Sequence, residues 1–164
     1  MTQSSSRPIS LRNPLKEKLG GAIPAFDETA LKRAEAALAS LSGEFQSWME
    51  EEITKITQAR NAARIAGWSD GALETLHGIV HDAKGLGATY EYPFITRIAG
   101  SLCRLIDTPE GKAAARTMPH LVEAHVETMR AIVRDKVKAS DHPVGLALVT
   151  ELEQRVLALG VAPD

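Results

Sequence analysis

The sequence predicts an all-α protein, an up-and-down antiparallel helical bundle with additional flanking helices. Three observations carry this expectation. Apolar residues recur at three- and four-residue intervals through several long segments. Ala and Leu dominate the apolar set and aromatic residues make up only 4% of the chain, a composition that favours helices over sheets. No segment shows sustained strand-like alternation. Several amphipathic helices with short connections imply a bundle, because each apolar stripe must be buried against another helix.

Residues 1–25 contain Ser4 to Ser6, Pro8, Pro14, Gly20, Gly21 and Pro24, and read as an irregular arm. A helical domain is expected over residues 26–160. Its first helix begins at Asp27, where Phe26 and Leu31 fit a hydrophobic staple around the N-cap. Leu31, Leu38, Leu41, Phe45, Trp48 and Ile56 carry it to about Arg64, and Gly43 is the expected place for a bend or break. Gly67 and Ser69 punctuate the next boundary, with Ser69 or Asp70 capping a helix to about Tyr90. Pro93 suits a first helical turn, followed by Ile95, Ile98, Leu102 and Leu105 to about Asp107. Pro109, Gly111 and Pro119 leave the following stretch undecided. Another helix is expected from Met118 to Lys138, then a turn at Asp141, Pro143 and Gly145. The last helix spans about Leu146 to Leu159, with Gly160 as its terminating residue.

Charge and cysteine content narrow the function. Nineteen basic against twenty-one acidic residues argue against nucleic acid as the main partner. The single cysteine, Cys103, allows no internal disulfide and no cysteine-based zinc site, and its place beside Leu102 suits buried packing. No stretch has the pattern of a signal peptide or the length of a membrane span, so a cytoplasmic protein without a membrane role is expected.

The segment Leu73 to Tyr90, LETLHGIVHDAKGLGATY, is the informative one. At about 100° per residue, Leu73, Leu76, Val80, Ala83, Gly87 and Tyr90 share the face a bundle buries. His81 lies on the opposite side with Glu74, Gly78, Asp82, Gly85 and Ala88. A purely solvated face has little use for glycine, which costs about 0.5–1 kcal/mol relative to Ala inside a helix. Here glycines bare both turns around the histidine, so another protein can approach its ring closely. Imidazole is a nucleophile that is largely unprotonated near pH 7. Lys84, one turn on, offers a phosphoryl group on the ring a charge-assisted contact. No GxxxxGK[ST] loop is present to hold a nucleotide, so donor, acceptor and metal would come from a partner.

His81-Asp82-Ala83-Lys84-Gly85 resembles the phosphorylation motif of histidine phosphotransfer domains, in which His is followed by Lys and Gly at the same offsets. The stretch from Tyr92-Pro93-Phe94 through Ser101-Leu102-Cys103-Arg104 is similar to the helix that follows in bacterial members, and the best-matched core covers residues 43–138. The resemblance implies a four-helix bundle that shuttles phosphoryl groups to and from aspartates of response-regulator receiver domains, including those carried by hybrid histidine kinases. His81 would be the phospho-accepting residue, Lys84 its electrostatic partner and Gly85 the small residue that admits the receiver. It implies a phosphoryl carrier and not an enzyme, with no cofactor of its own and Mg²⁺ supplied by the receiver. One position departs: many members have glycine about ten residues after the histidine, where this chain has Glu91.

Gly78, Asp82, Ala88, Arg97 and Arg104 complete a candidate docking surface, the two arginines being equally readable as solvated residues. His77 is placed at the edge of the buried side as a packing residue. With His81 it has the one-turn spacing of a metal chelate, but the outward direction of His81 and Glu74 argues against a bundle metal site. His125 reads as a satisfied interior or boundary histidine. The alternative to a phosphorelay carrier is a non-catalytic helical adaptor that binds a receiver or another signalling protein.

Overall fold

A computed structural model describes residues 28–161, which form six helices and no strand. They are α1 (Glu28–Ile65), α2 (Asp70–Thr89), α3 (Pro93–Asp107), α4 (Pro109–Thr117), α5 (Pro119–Arg134) and α6 (Pro143–Leu157). The N-terminal arm and the Phe26–Asp27 staple lie outside the described residues. None of the described helices is long and apolar enough to cross a membrane. Contacts divide the chain after Ala39 into two compact units. In the first, the described residues are the helical stretch Glu28–Ala39, and all of them are exposed.

In the second unit, α3 is the central element. It packs against α2, α4, α5 and α6, and Phe94, Ile95, Ile98, Leu102, Leu105 and Ile106 are all buried on it. The α2–α3 connection is only three residues long, so the two helices run antiparallel. Helix α1 packs by its buried residues Met49, Ile53, Ile56 and Ala63, spaced four, three and seven apart on one face. Its pairing is antiparallel to α5: Arg60 Nη2 donates to Glu127 Oε1 at 2.9 Å, while Gln46 Nε2 donates to Val133 O at 3.1 Å. Tyr92 donates its hydroxyl proton to Gln46 Oε1, which ties the α2–α3 turn to the middle of α1. Phe45, beside Gln46, stacks on Tyr90 with ring centroids 5.5 Å apart. Helix α6 lies outside this set against α3, with Gly145 beneath the Phe94 ring.

The structure corrects several boundaries. Gly43 does not break α1: the helix is continuous, and good helix formers on both sides carry the local cost of one glycine. Leu31, Leu38 and Leu41 are 41%, 66% and 41% exposed, contrary to the expectation that the whole stripe is buried. The undecided stretch is α4, begun by Thr108, whose Oγ1 accepts from the Gly111 amide at 3.0 Å. Helix α5 stops at Arg134, four residues short of Lys138, because Lys136 takes a left-handed φ of 53°. Pro143 belongs to α6 and not to the turn before it, at a first-turn position capped by His142 Nδ1 accepting from Gly145 N.

Candidate functional site

His81 sits near the middle of α2 and is exposed, as are Gly78, Asp82, Gly85 and Ala88. The opposite face of the helix, Leu73, Leu76, Val80, Ala83 and Gly87, is buried. The periodicity that sorts these residues thus survives packing. The glycines of α2 divide by role. A Cβ on Gly78 or Gly85 would meet nothing within 4 Å, so both open onto solvent. One on Gly87 would stand 2.6 Å from Thr96 Oγ1, so that glycine serves the α2–α3 contact. The bareness around His81 is therefore not demanded by packing.

The His77 ring lies 6.2 Å from the His81 ring, 27° from parallel, and is half-buried. Lys84 is also half-buried. Its Cε and Cδ lie 3.6 and 3.9 Å from the point where a Cβ on Gly100 would be, so its stem crosses α3 at that glycine. Its carbonyl accepts from Thr96 Oγ1 at 3.1 Å. On the other side of α2, Glu52 and Lys55 of α1 face Ile79, Asp82, Gly85 and Leu86 across an open groove of about 410 Å³. An exposed, nucleophilic ring with open space beside it and a lysine one turn away can accept an electrophile brought by another protein.

Arg97 and Arg104 flank Gly100 on α3, three residues before it and four after, so helical spacing sets them on the face that meets Lys84. Arg97 is engaged by α6: its Nε and Nη2 donate to Glu153 Oε1 and Oε2 at 3.1 and 2.6 Å. Arg104 is half-buried, and its charge acts on His125. Sequence periodicity placed both arginines on one face but had no means of finding Glu153, which arrives from a helix about fifty residues later. Thr96 and Gly100 were also missed. Their only local signal is the run of small residues Ala99-Gly100-Ser101, which marks close approach without naming what approaches.

His125 is fully buried on α5. Its Nδ1 donates to Leu121 O at 2.7 Å, which leaves Nε2 to accept from Ser101 Oγ at 3.0 Å. Burial, with a smaller contribution from the Arg104 charge, pushes its pKa down to about 4. Both ring nitrogens are occupied, so it has no lone pair for a shared site with His77 and His81. Among the described residues no group of three or more His, Cys, Asp or Glu side chains converges. Cys103 is buried.

Comparison with protein-family profiles, curated proteins and solved structures finds no match to this chain.

Proposed function

We propose that this chain is a histidine phosphotransfer protein that carries a phosphoryl group on His81 between aspartates of receiver domains in the cytoplasm. The observation that carries the reading is the bare, exposed patch on α2: His81 between Gly78 and Gly85, neither glycine required by packing, with Lys84 one turn on. In the forward step a ring nitrogen of His81 attacks the phosphorus of a receiver's aspartyl phosphate. The P–N bond forms as the P–O bond to the aspartate breaks, and the carboxylate leaves on the receiver. Mg²⁺ at the receiver's acidic site neutralises the charge in flight, and the reverse step returns the group to a second receiver. Lys84 stabilises the phosphoryl oxygens on this side.

A second feature supports the resemblance to the histidine phosphotransfer family. Glu91, standing where many members have glycine, takes φ 64°. That left-handed geometry is one glycine adopts without strain. The turn therefore keeps the shape a glycine would suit although the residue differs.

The test is intact-mass measurement after incubation with a phosphorylated cognate receiver and Mg²⁺. Wild type should gain one phosphoryl group, labile in acid and stable in base, and His81→Ala should gain none. Phosphate accepted equally by His81→Ala would refute the site. Receiver binding without any transfer would establish the adaptor reading instead.

A further inference from the structure

We infer that Gly100, on the helix next to the histidine, is a positioning residue that acts through Lys84. The inference rests on the phosphotransfer reading of His81. A lysine on an open helix surface samples many rotamers, which spreads its ammonium over a wide arc. Lys84 is held differently. Helix α3 meets it at two points: Thr96 Oγ1 donates to its backbone carbonyl at 3.1 Å, which anchors its main chain, and its Cε and Cδ pass 3.6 and 3.9 Å from where a Cβ on Gly100 would stand. Thr96 and Gly100 are one turn apart on α3, so both contacts fall on one face of that helix. Gly100 is buried, and the Lys84 stem passes within van der Waals distance of where its side chain would begin.

The distances define which substitutions matter. A methyl on Gly100 would meet Lys84 Cε at 3.6 Å, ordinary van der Waals contact, so Gly100→Ala keeps the stem in place. Branched atoms beyond that methyl, as in Gly100→Val, need the volume the stem occupies and turn the lysine away. His81 itself is untouched, since the nearest atoms to the Gly100 position are those of Lys84. The contribution of Gly100 is thus to the direction of a charge and not to docking.

The experiment is a double-mutant cycle on phosphoryl transfer from receiver to His81 in the full chain, with receiver affinity measured alongside. Gly100→Ala should transfer like wild type. Gly100→Val should slow transfer about tenfold, the scale of a displaced charge contact, with receiver affinity unchanged. In a Lys84→Ala background Gly100→Val should have no further effect. Independent, multiplicative losses would overturn the inference, as would wild-type transfer by Gly100→Val or by Lys84→Ala. A second measurement needs no change at Gly100: carbon relaxation of lysine Cε in wild type should show Lys84 restricted relative to the exposed Lys136. Equal mobility would overturn the proposal even if Gly100→Val failed to fold. A wild type that takes no phosphate at His81 removes the phosphotransfer reading and this inference together, whereas active wild type with multiplicative variants removes this inference alone.

Discussion

Gly87 and Thr96 meet so closely that a methyl on the glycine would stand 2.6 Å from Thr96 Oγ1 and 2.8 Å from its amide nitrogen. The amide belongs to the backbone of α3 and cannot rotate aside. Helices α2 and α3 can cross as they do only because this position has no side chain. Gly87→Ala should therefore cost about 1–3 kcal/mol by overpacking, while Gly85→Ala should gain up to about 1 kcal/mol from helix propensity alone. Urea unfolding of the two variants gives both signs. Shifts in the same direction would mean that the division between structural and open glycines is wrong.

Gly85→Gln probes access to His81 without touching the core. No atom lies within 4 Å of a Cβ at this position, so the variant should melt like wild type. Its side chain nevertheless stands in the space a receiver must enter, one turn from His81. A misplacement of about 1 Å can cost about a hundredfold in rate, so transfer should fall sharply. Lys84→Ala should retain receiver affinity while transfer slows and the phosphohistidine becomes less persistent. Transfer rate, receiver affinity and melting curves separate the two effects, and a Gly85→Gln variant that binds and transfers normally would remove the docking surface from consideration.

His125 links stability to acid. Its folded-state pKa of about 4 lies below the ordinary histidine value of 6.5, so the unfolded chain binds the proton first. The stabilisation is complete above about pH 6.5 and is lost progressively as pH falls toward 4, a change on the order of 3 kcal/mol. His125→Gln should be less stable at pH 7, because the Leu121 contact is lost, but flatter across that window. Denaturation midpoints between pH 7 and 4 test this; parallel curves for the two proteins would show that His125 is not the linked group.

Glu91→Gly should stabilise the fold. A non-glycine residue in the left-handed region costs about 1–2 kcal/mol. Against that relief stands the loss of the exposed ion pair between Glu91 Oε2 and Lys138 Nζ at 3.2 Å, worth about 0–1 kcal/mol. The net expectation is a thermal midpoint a few degrees higher, with transfer through His81 unchanged. A lower midpoint would show that the pair outweighs the backbone strain.

The sequence alone determined five of the six described helical segments, to within a few residues at their ends, and which face of α2 looks outward. Both are local properties: periodicity needs only the residues of one helix, and a stripe of Leu73, Leu76, Val80 and Ala83 leaves His81 a single side to occupy. Gly160 has the left-handed φ of 78° expected of a terminating glycine, although α6 itself ends at Leu157 with Ala158 as its C-cap, short of the expected Leu159. Tertiary structure alone decided the rest. Whether Gly43 interrupts α1 depends on the summed stability of the whole helix. The short α4 begins with Pro109 at a first-turn position and stands in spite of Gly111; a Cβ at Gly111 would lie 1.7 Å from Leu105 O, so its glycine answers to a close approach that no periodicity reveals. Most tellingly, one-dimensional spacing placed Lys84 beside His81, but the resting place of its stem over Gly100 and the bond from Thr96 come from a second helix. Such contacts between residues distant in sequence depend on the crossing of α2 and α3, which exists only once Gly87 has let the two backbones meet.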